Sequence, residues 1–236
     1  MKVQSMLLIF DVDGTLTPSR GRIDEQFRKW MLADLAHPFI LVTGSDPDKT
    51  REQIGDELYN KTTVYNCAGN HIFKNGHEFY RSSWVIPNNL QQFLEEQVTN
   101  SEWSDKTGKH IEHRVGLCNF SIVGRNASVP QRKAYYQYDQ ATGERLRIAS
   151  EIMKQWPAID AGVAGETGID IYAKGNGKSQ VLDFEGTENT FYFFGDRMDP
   201  AGNDYPLATA ILQNKLGNCY HVKDWQETWH RLKGMQ

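Results

Sequence analysis

Met6-Leu7-Leu8-Ile9-Phe10-Asp11-Val12-Asp13-Gly14-Thr15-Leu16-Thr17-Pro18 is the stretch that decides the fold. A short apolar run meets an acidic turn without an amphipathic transition. Such a run reads as a strand buried on both faces, the kind found in parallel sheets covered by helices. Asp11 and Asp13 then leave the carboxyl end of that strand, where ligands bind in open α/β sheets. Residues two apart on an extended segment point the same way, so both carboxylates can reach one site. Paired carboxylates repel unless a cation compensates. Mg²⁺ favours carboxylate oxygens and leaves positions for phosphate, and a carboxylate can attack phosphorus to form an aspartyl-phosphate. Gly14 and Thr15 offer a tight turn and backbone donors to phosphate oxygens.

Outward from this stretch, the pattern alternates. Ile23 to Leu35 has helical apolar spacing, Phe39–Val42 is a second buried strand, and Asp46-Pro47 opens a helix running to Leu58. Thr62 to Tyr65 is a third strand. Beyond about Arg81 the rhythm changes. Helical stretches at 89–99 and 129–155 are mixed with strand-like runs at 109–114, 117–123, 158–163 and 169–173. Phe191 to Phe194 restores the buried-strand pattern, followed by a helix at 206–213 and a strand at 218–221. The expected fold is α/β: a Rossmann-like core with a parallel sheet (residues 1–81 and 177–236) interrupted by an inserted α+β domain (82–176).

Composition narrows the class. The chain has 236 residues with a formal net charge of −4, 39% hydrophobic and 24% charged. Those values describe a folded globular protein without the basic bias of nucleic-acid binders. No apolar run reaches the length of a membrane span, and the first ten residues lack the small-residue cleavage site of a signal peptide. Cys67, Cys118 and Cys219 form no CxxC pair. A reducing, cytoplasmic setting is expected, with no nucleic-acid or membrane partner.

Further chemistry-bearing residues follow the strands. Thr43 and Ser45 suit either holding a phosphoryl group or capping the next helix. Lys178, in Gly175-Asn-Gly177-Lys178-Ser179, belongs to neither nucleotide loop. Tyr172 stands where a P-loop needs Gly, and Gln180 where a dinucleotide fingerprint does. A lysine there could instead neutralise phosphate charge. Asp196 after the restored strand is a third acidic candidate, and Asn203 and Asp204 could bind metal waters or orient Lys178.

Taken together, Asp11-x-Asp13-Gly14-Thr15, Thr43-Gly44-Ser45, Lys178 and Asp196 with Gly202-Asn203-Asp204 resemble the four motifs of the haloacid dehalogenase (HAD) superfamily. The resemblance implies Asp11 as nucleophile, Asp13 as general acid/base, and Mg²⁺ held by Asp11, the Asp13 carbonyl and Asp196. The inserted segment sharpens it. Arg114-Val-Gly-Leu-Cys-Asn119-Phe-Ser-Ile-Val-Gly-Arg125, then Arg132, Gly168-Ile-Asp170 and the early Arg20 resemble the eukaryotic-type phosphomannomutase family, along most of the chain. This implies a mobile cap whose Arg20, Arg114, Arg125 and Arg132, with Asn119 and Asp170, bind a sugar phosphate. It also implies a hexose 1,6-bisphosphate as activator and a homodimer through the cap. Thr43, and Gly168 in place of the family's Ser, keep a second reading open, a sugar-phosphate phosphatase. A third is a non-catalytic phosphosugar-binding protein, which intact Asp11, Asp13, Lys178 and Asp196 oppose.

Overall fold

Strand β1 (Met6–Phe10) lies between two parallel neighbours, β10 (Thr190–Gly195) and β2 (Phe39–Val42), with Phe10 opposite both Phe194 and Leu41. Its side chains alternate between two cores. Leu8 and Phe10 pack with Phe27, Met31 and Val222, while Leu7 and Ile9 pack with Ile40, Val42, Leu207 and Ile211. Burial on both faces explains why the run is apolar without interruption. The computed structural model of the protein describes residues 5–200 and 202–235. Residues 1–4, part of the run expected to lack a leader, lie outside the described residues.

The sheet has seven strands in the order β11-β10-β1-β2-β3-β4-β5. Strands β3 (Thr63–Asn66) and β11 (Gly217–His221) extend the parallel set. Strands β4 (His71–Lys74) and β5 (His77–Arg81) add an antiparallel hairpin. Helices α1 (Glu25–Ala33), α2 (Pro47–Ile54), α3 (Asp56–Asn60), α7 (Val181–Glu185), α8 (Tyr205–Gln213) and α9 (Trp225–Lys233) complete this layer.

A second, fully antiparallel sheet has the order β6-β7-β9-β8. Its strands are β6 (Ile111–Arg114), β7 (Leu117–Phe120), β8 (Ile159–Ala164) and β9 (Gly168–Ala173). Helices α4 (Asn88–Asn100), α5 (Val129–Thr142) and α6 (Glu144–Gln155) cover one face through Leu90, Leu94, Tyr135, Ile148 and Ile152, packed on Phe120 and Ile171. The mixture of a parallel-containing sheet with an antiparallel unit agrees with the α/β expectation.

Several elements differ from the sequence reading. The helix expected to run from 47 to 58 breaks at Gly55 (φ +82°), and the one expected over 129–155 breaks at Gly143 (φ +67°). Both glycines take backbone angles that a continuous helix excludes. The β4–β5 hairpin was not expected, although Asn75-Gly76, both at positive φ, is a strong hairpin signal. Helix α9 was also missed. It is mostly polar, begins at the Asp224 cap and buries Thr228 and Leu232.

The α5–α6 corner holds an internal ion pair that reaches the site. Arg145, 1% exposed, bonds Asp139 at 2.8 Å and donates to the carbonyls of Gly165 and Gly168 in the β8–β9 turn. Removing one member of a buried pair leaves an uncompensated charge, at a cost of about 3–5 kcal/mol. Asp139→Ala is therefore expected to lower unfolding free energy by about that amount, read from the midpoint of urea denaturation.

Candidate active site

Asp11 and Asp196 emerge at the carboxyl ends of the adjacent strands β1 and β10, and Asp204 sits at the start of α8. One oxygen atom from each of these three carboxylates lies within 4.8 Å of the others. Lys178, brought in by the short turn Lys178–Gln180, donates to both Asp11 Oδ1 and Asp204 Oδ1, the latter at 2.7 Å. Asp204 Oδ2 accepts from the Arg197 amide at 3.1 Å, so its carboxylate is held at both oxygens. Lysine, Asp11 and Asp204 are all buried.

Burial, reinforced by Asp204 and Asp196, pushes the Asp11 carboxyl well above the usual range, with Lys178 opposing. Burial and Asp204 push Asp196 up to about 7. Burial works against the charge on Lys178, but Asp11 and Asp204 outweigh it and hold its ammonium charged. Three acids thus share one buried cation. The remaining negative charge and the hard oxygen donors fit a divalent metal ion such as Mg²⁺. The Asp13 carboxylate is not among this trio. Its Oδ1 accepts from the Arg20 amide at 2.6 Å and from Gln53 Nε2 at 2.9 Å. The metal role that the resemblance implies for this residue belongs to its main-chain carbonyl.

The turn after β1 is closed by its own backbone. The amide of Gly14 donates to Thr17 O at 2.9 Å and that of Thr15 to Val12 O at 3.3 Å. Thr15 is fully buried and stands outside the cavity lining, whereas Gly14 lines it. Gly14 has φ +82°, and a Cβ there would come 2.6 Å from Asp196 Oδ2. At the end of β2, Asp46 caps α2 through Lys49 N, while Thr43, Gly44 and Ser45 line the cavity. Thr43 Oγ1 accepts from Ser45 N at 3.1 Å.

The cavity, about 660 Å³, runs from Asp11 to the antiparallel sheet and brings Arg20, Arg114, Arg125 and Arg132 together with Asn119, Asp170 and Asn203. Burial, together with like-charge repulsion from Arg125, Arg132 and Arg114 and against the pull of Asp13, lowers Arg20 to about 10. This is the electrostatic mark of a site for an anion. Carboxylates the sequence reading did not single out share the arginines. Glu112 bonds Arg114 Nε and Arg125 Nε, each at 2.6 Å, and Glu166 pairs with Arg132 at 2.6 Å. Arg132 Nε is buried without a partner. Asn119 accepts from Arg125 Nη1 at 3.1 Å and donates to Asp170 Oδ1 at 2.7 Å. Gly168 has a local reason: a Cβ there would lie 2.8 Å from Asn119 Nδ2. Glu112 was legible in principle as an acid two residues before Arg114 on a strand. Gln53 carried no signal, since its role is a contact across forty residues.

The family model described as eukaryotic phosphomannomutase matches residues 32–235. The chain is 29% identical over 215 residues to a phosphomannomutase of Saccharomyces cerevisiae, covering 85% of this chain and 84% of that one. It is 30% identical over 226 residues to a phosphomannomutase of Encephalitozoon cuniculi, covering 86% and 84%. Among solved structures, it resembles an N-terminally truncated, IMP-bound IMP-nucleotidase of Plasmodium falciparum, with TM-score 0.65, 17% identity and coverage of 98% and 68%. It also resembles a haloacid dehalogenase-like hydrolase from Bacteroides thetaiotaomicron, with TM-score 0.58, 14% identity and coverage of 99% and 100%. These structural likenesses show a haloacid dehalogenase-like fold.

Gly14→Ala tests the acidic trio. The added methyl group must displace Asp196 and strain a left-handed turn by about 1–2 kcal/mol. Affinity for Mg²⁺, titrated by calorimetry, is expected to fall by about tenfold or more, equivalent to about 1.4 kcal/mol.

Proposed function

The chain belongs to the eukaryotic phosphomannomutase family, and from that premise we propose that it interconverts mannose 6-phosphate and mannose 1-phosphate. The observation that carries this reading is the placing of four arginines, Arg20, Arg114, Arg125 and Arg132, in the same cavity as Asp11. A hydrolase needs to hold one phosphate near its nucleophile. A mutase must also hold a second phosphate that does not react, and guanidinium forks suit that task.

In this reading Asp11 attacks phosphorus and carries the phosphoryl group. Asp13, fixed by the Arg20 amide and Gln53, protonates the leaving sugar oxygen and later takes the proton from the incoming hydroxyl. Lys178 neutralises charge building on the phosphoryl oxygens. Mg²⁺, when bound by Asp11, Asp196 and the Asp13 carbonyl, supplies further charge neutralisation. Asp204 keeps Lys178 in place through its 2.7 Å bond. Thr43, Gly44 and Ser45 face the phosphoryl group, and Asn203 supports the metal side. Asn119 and Asp170 receive sugar hydroxyls. A hexose 1,6-bisphosphate is the intermediate and activator, released and rebound in the opposite sense.

Residues 82–176 act as the cap in this scheme, opening for the bisphosphate to turn over and closing to exclude water. A homodimer through the cap belongs to the same reading. It is supported by Leu146 and Met153, exposed seven residues apart along α6. The three cysteines are free thiols, which fits the cytoplasm. Among the described residues, no helix is long and apolar enough to cross a membrane.

The test is product analysis. Incubated with mannose 1-phosphate, Mg²⁺ and trace hexose 1,6-bisphosphate, the protein is expected to yield mannose 6-phosphate. Free mannose and inorganic phosphate as the only products would instead establish a phosphatase. Asp11→Asn is expected to abolish both outcomes, because the amide cannot form the phosphoenzyme.

A further inference from the structure

Glu112 occupies a position that the phosphate-binding arginines depend on. It stands opposite Asn119 across the β6–β7 pair, and Asn119 stands opposite Asp170 across the β7–β9 pair. Directly paired residues share a sheet face, so Glu112, Asn119 and Asp170 form one row. Arg114, two residues along β6 from Glu112, shares that face.

The hydrogen bonds join this row into a continuous chain. Glu112 Oε1 accepts from Arg114 Nε and Oε2 from Arg125 Nε, each at 2.6 Å. Arg125 Nη1 continues to Asn119 Oδ1, and Asn119 Nδ2 to Asp170 Oδ1. Arg114 Nη1 reaches across to the carbonyl of Gly44 at 2.6 Å. Asp170 returns to the same place, since a Cβ on Gly44 would lie 2.9 Å from its Oδ2. Each arginine is held at two of its nitrogens, which fixes the plane of its guanidinium. Glu112 is the one member that touches both.

We propose that Glu112 is a positioning residue, fixing Arg114 and Arg125 for the phosphate of the substrate that does not react. This rests on the sugar-phosphate reading above. Two effects of the carboxylate oppose each other. Its charge weakens the attraction of the arginines for an anion. Its two bonds hold both guanidinium planes before the anion arrives, which removes an ordering cost from binding. The inference is that geometry outweighs charge.

A pair of variants separates the two effects. Glu112→Gln keeps the length and removes the charge. Glu112→Asp keeps the charge but is one methylene too short to bridge both arginines. Both are expected to raise KM for mannose 1-phosphate by about tenfold, with kcat within about twofold of wild type and Tm little changed. Hydrolysis of p-nitrophenyl phosphate, whose one phosphate must react at Asp11 and cannot occupy the arginine site, is expected to stay at the wild-type rate in both. A lower KM in Glu112→Gln, or a wild-type KM in Glu112→Asp, overturns the proposal in favour of charge alone. Loss of Tm with p-nitrophenyl phosphate hydrolysis falling in parallel also overturns it, as a purely structural role would. If wild type releases phosphate without isomerising, the mutase reading falls separately. The same KM comparison is then made on phosphate release from the sugar phosphate.

Discussion

The buried ammonium of Lys178 between Asp11 and Asp204 is the interaction on which the rest of the site depends. It joins three places far apart in the chain: the end of β1, the segment returning from the antiparallel unit, and the start of α8. Burying charges is costly, and such a group holds together only when the geometry is good and each oxygen is satisfied. Here Asp204 is held by Lys178 on one oxygen and by the Arg197 amide on the other. One lysine cannot balance Asp11, Asp196 and Asp204 together. Burial therefore keeps Asp11 and Asp196 raised, and the protein folds into a shape that a cation completes.

Much of this was legible in the sequence because it follows from strand ends. A run as apolar as Leu7 to Phe10 requires cover on both faces, and a parallel neighbour on each side places its carboxyl end beside theirs. Asp11, Thr43 and Asp196 are therefore neighbours by topology. The arginines were visible only through resemblance, since Arg114, Arg125 and Arg132 in isolation read as solvated surface charge. Edge strand β5 and helix α9 were obscured by polarity. His77-Glu-Phe-Tyr-Arg81 is largely exposed, and α9 buries only Thr228 and Leu232 fully while Trp225 and Trp229 stack on Phe27. Glu112 and Gln53 act through contacts that no local spacing records. One depends on cross-strand register, the other on a bond between α2 and the turn after β1.

Crowding explains a further set of choices. Carboxylates pack against backbone at this site, and small residues make the room. Asp196 lies against Gly14, and Asp170 against Gly44. Gly168 belongs with them, because the Asn119 amide fills the space a side chain would need. Asn119 bridges Arg125 and Asp170, so moving it to admit a hydroxyl would disturb both.

The two sheets meet across this site through polar contacts. Arg114 reaches Gly44 O, Arg197 reaches Gly165 O, and a single bridge joins Val163 to Gly202. Contacts of this kind exchange readily with water, each contributing about 0.5–1.5 kcal/mol net. Beside them Cys67 and Ala68, after β3, pack against Leu117 and Tyr172 of the antiparallel unit, so the joint is apolar at that edge and polar along the cavity. Its strongest members are arginines that are also suited to phosphate. Closure and substrate binding would therefore draw on the same side chains, since an anion in the cavity completes the arginine cluster from the side that Glu112 and Glu166 leave open. Such coupling favours a mutase over a hydrolase. In the proposed cycle a second phosphate would draw the sheets together and help exclude water from Asp11 when phosphoryl return to the sugar is wanted.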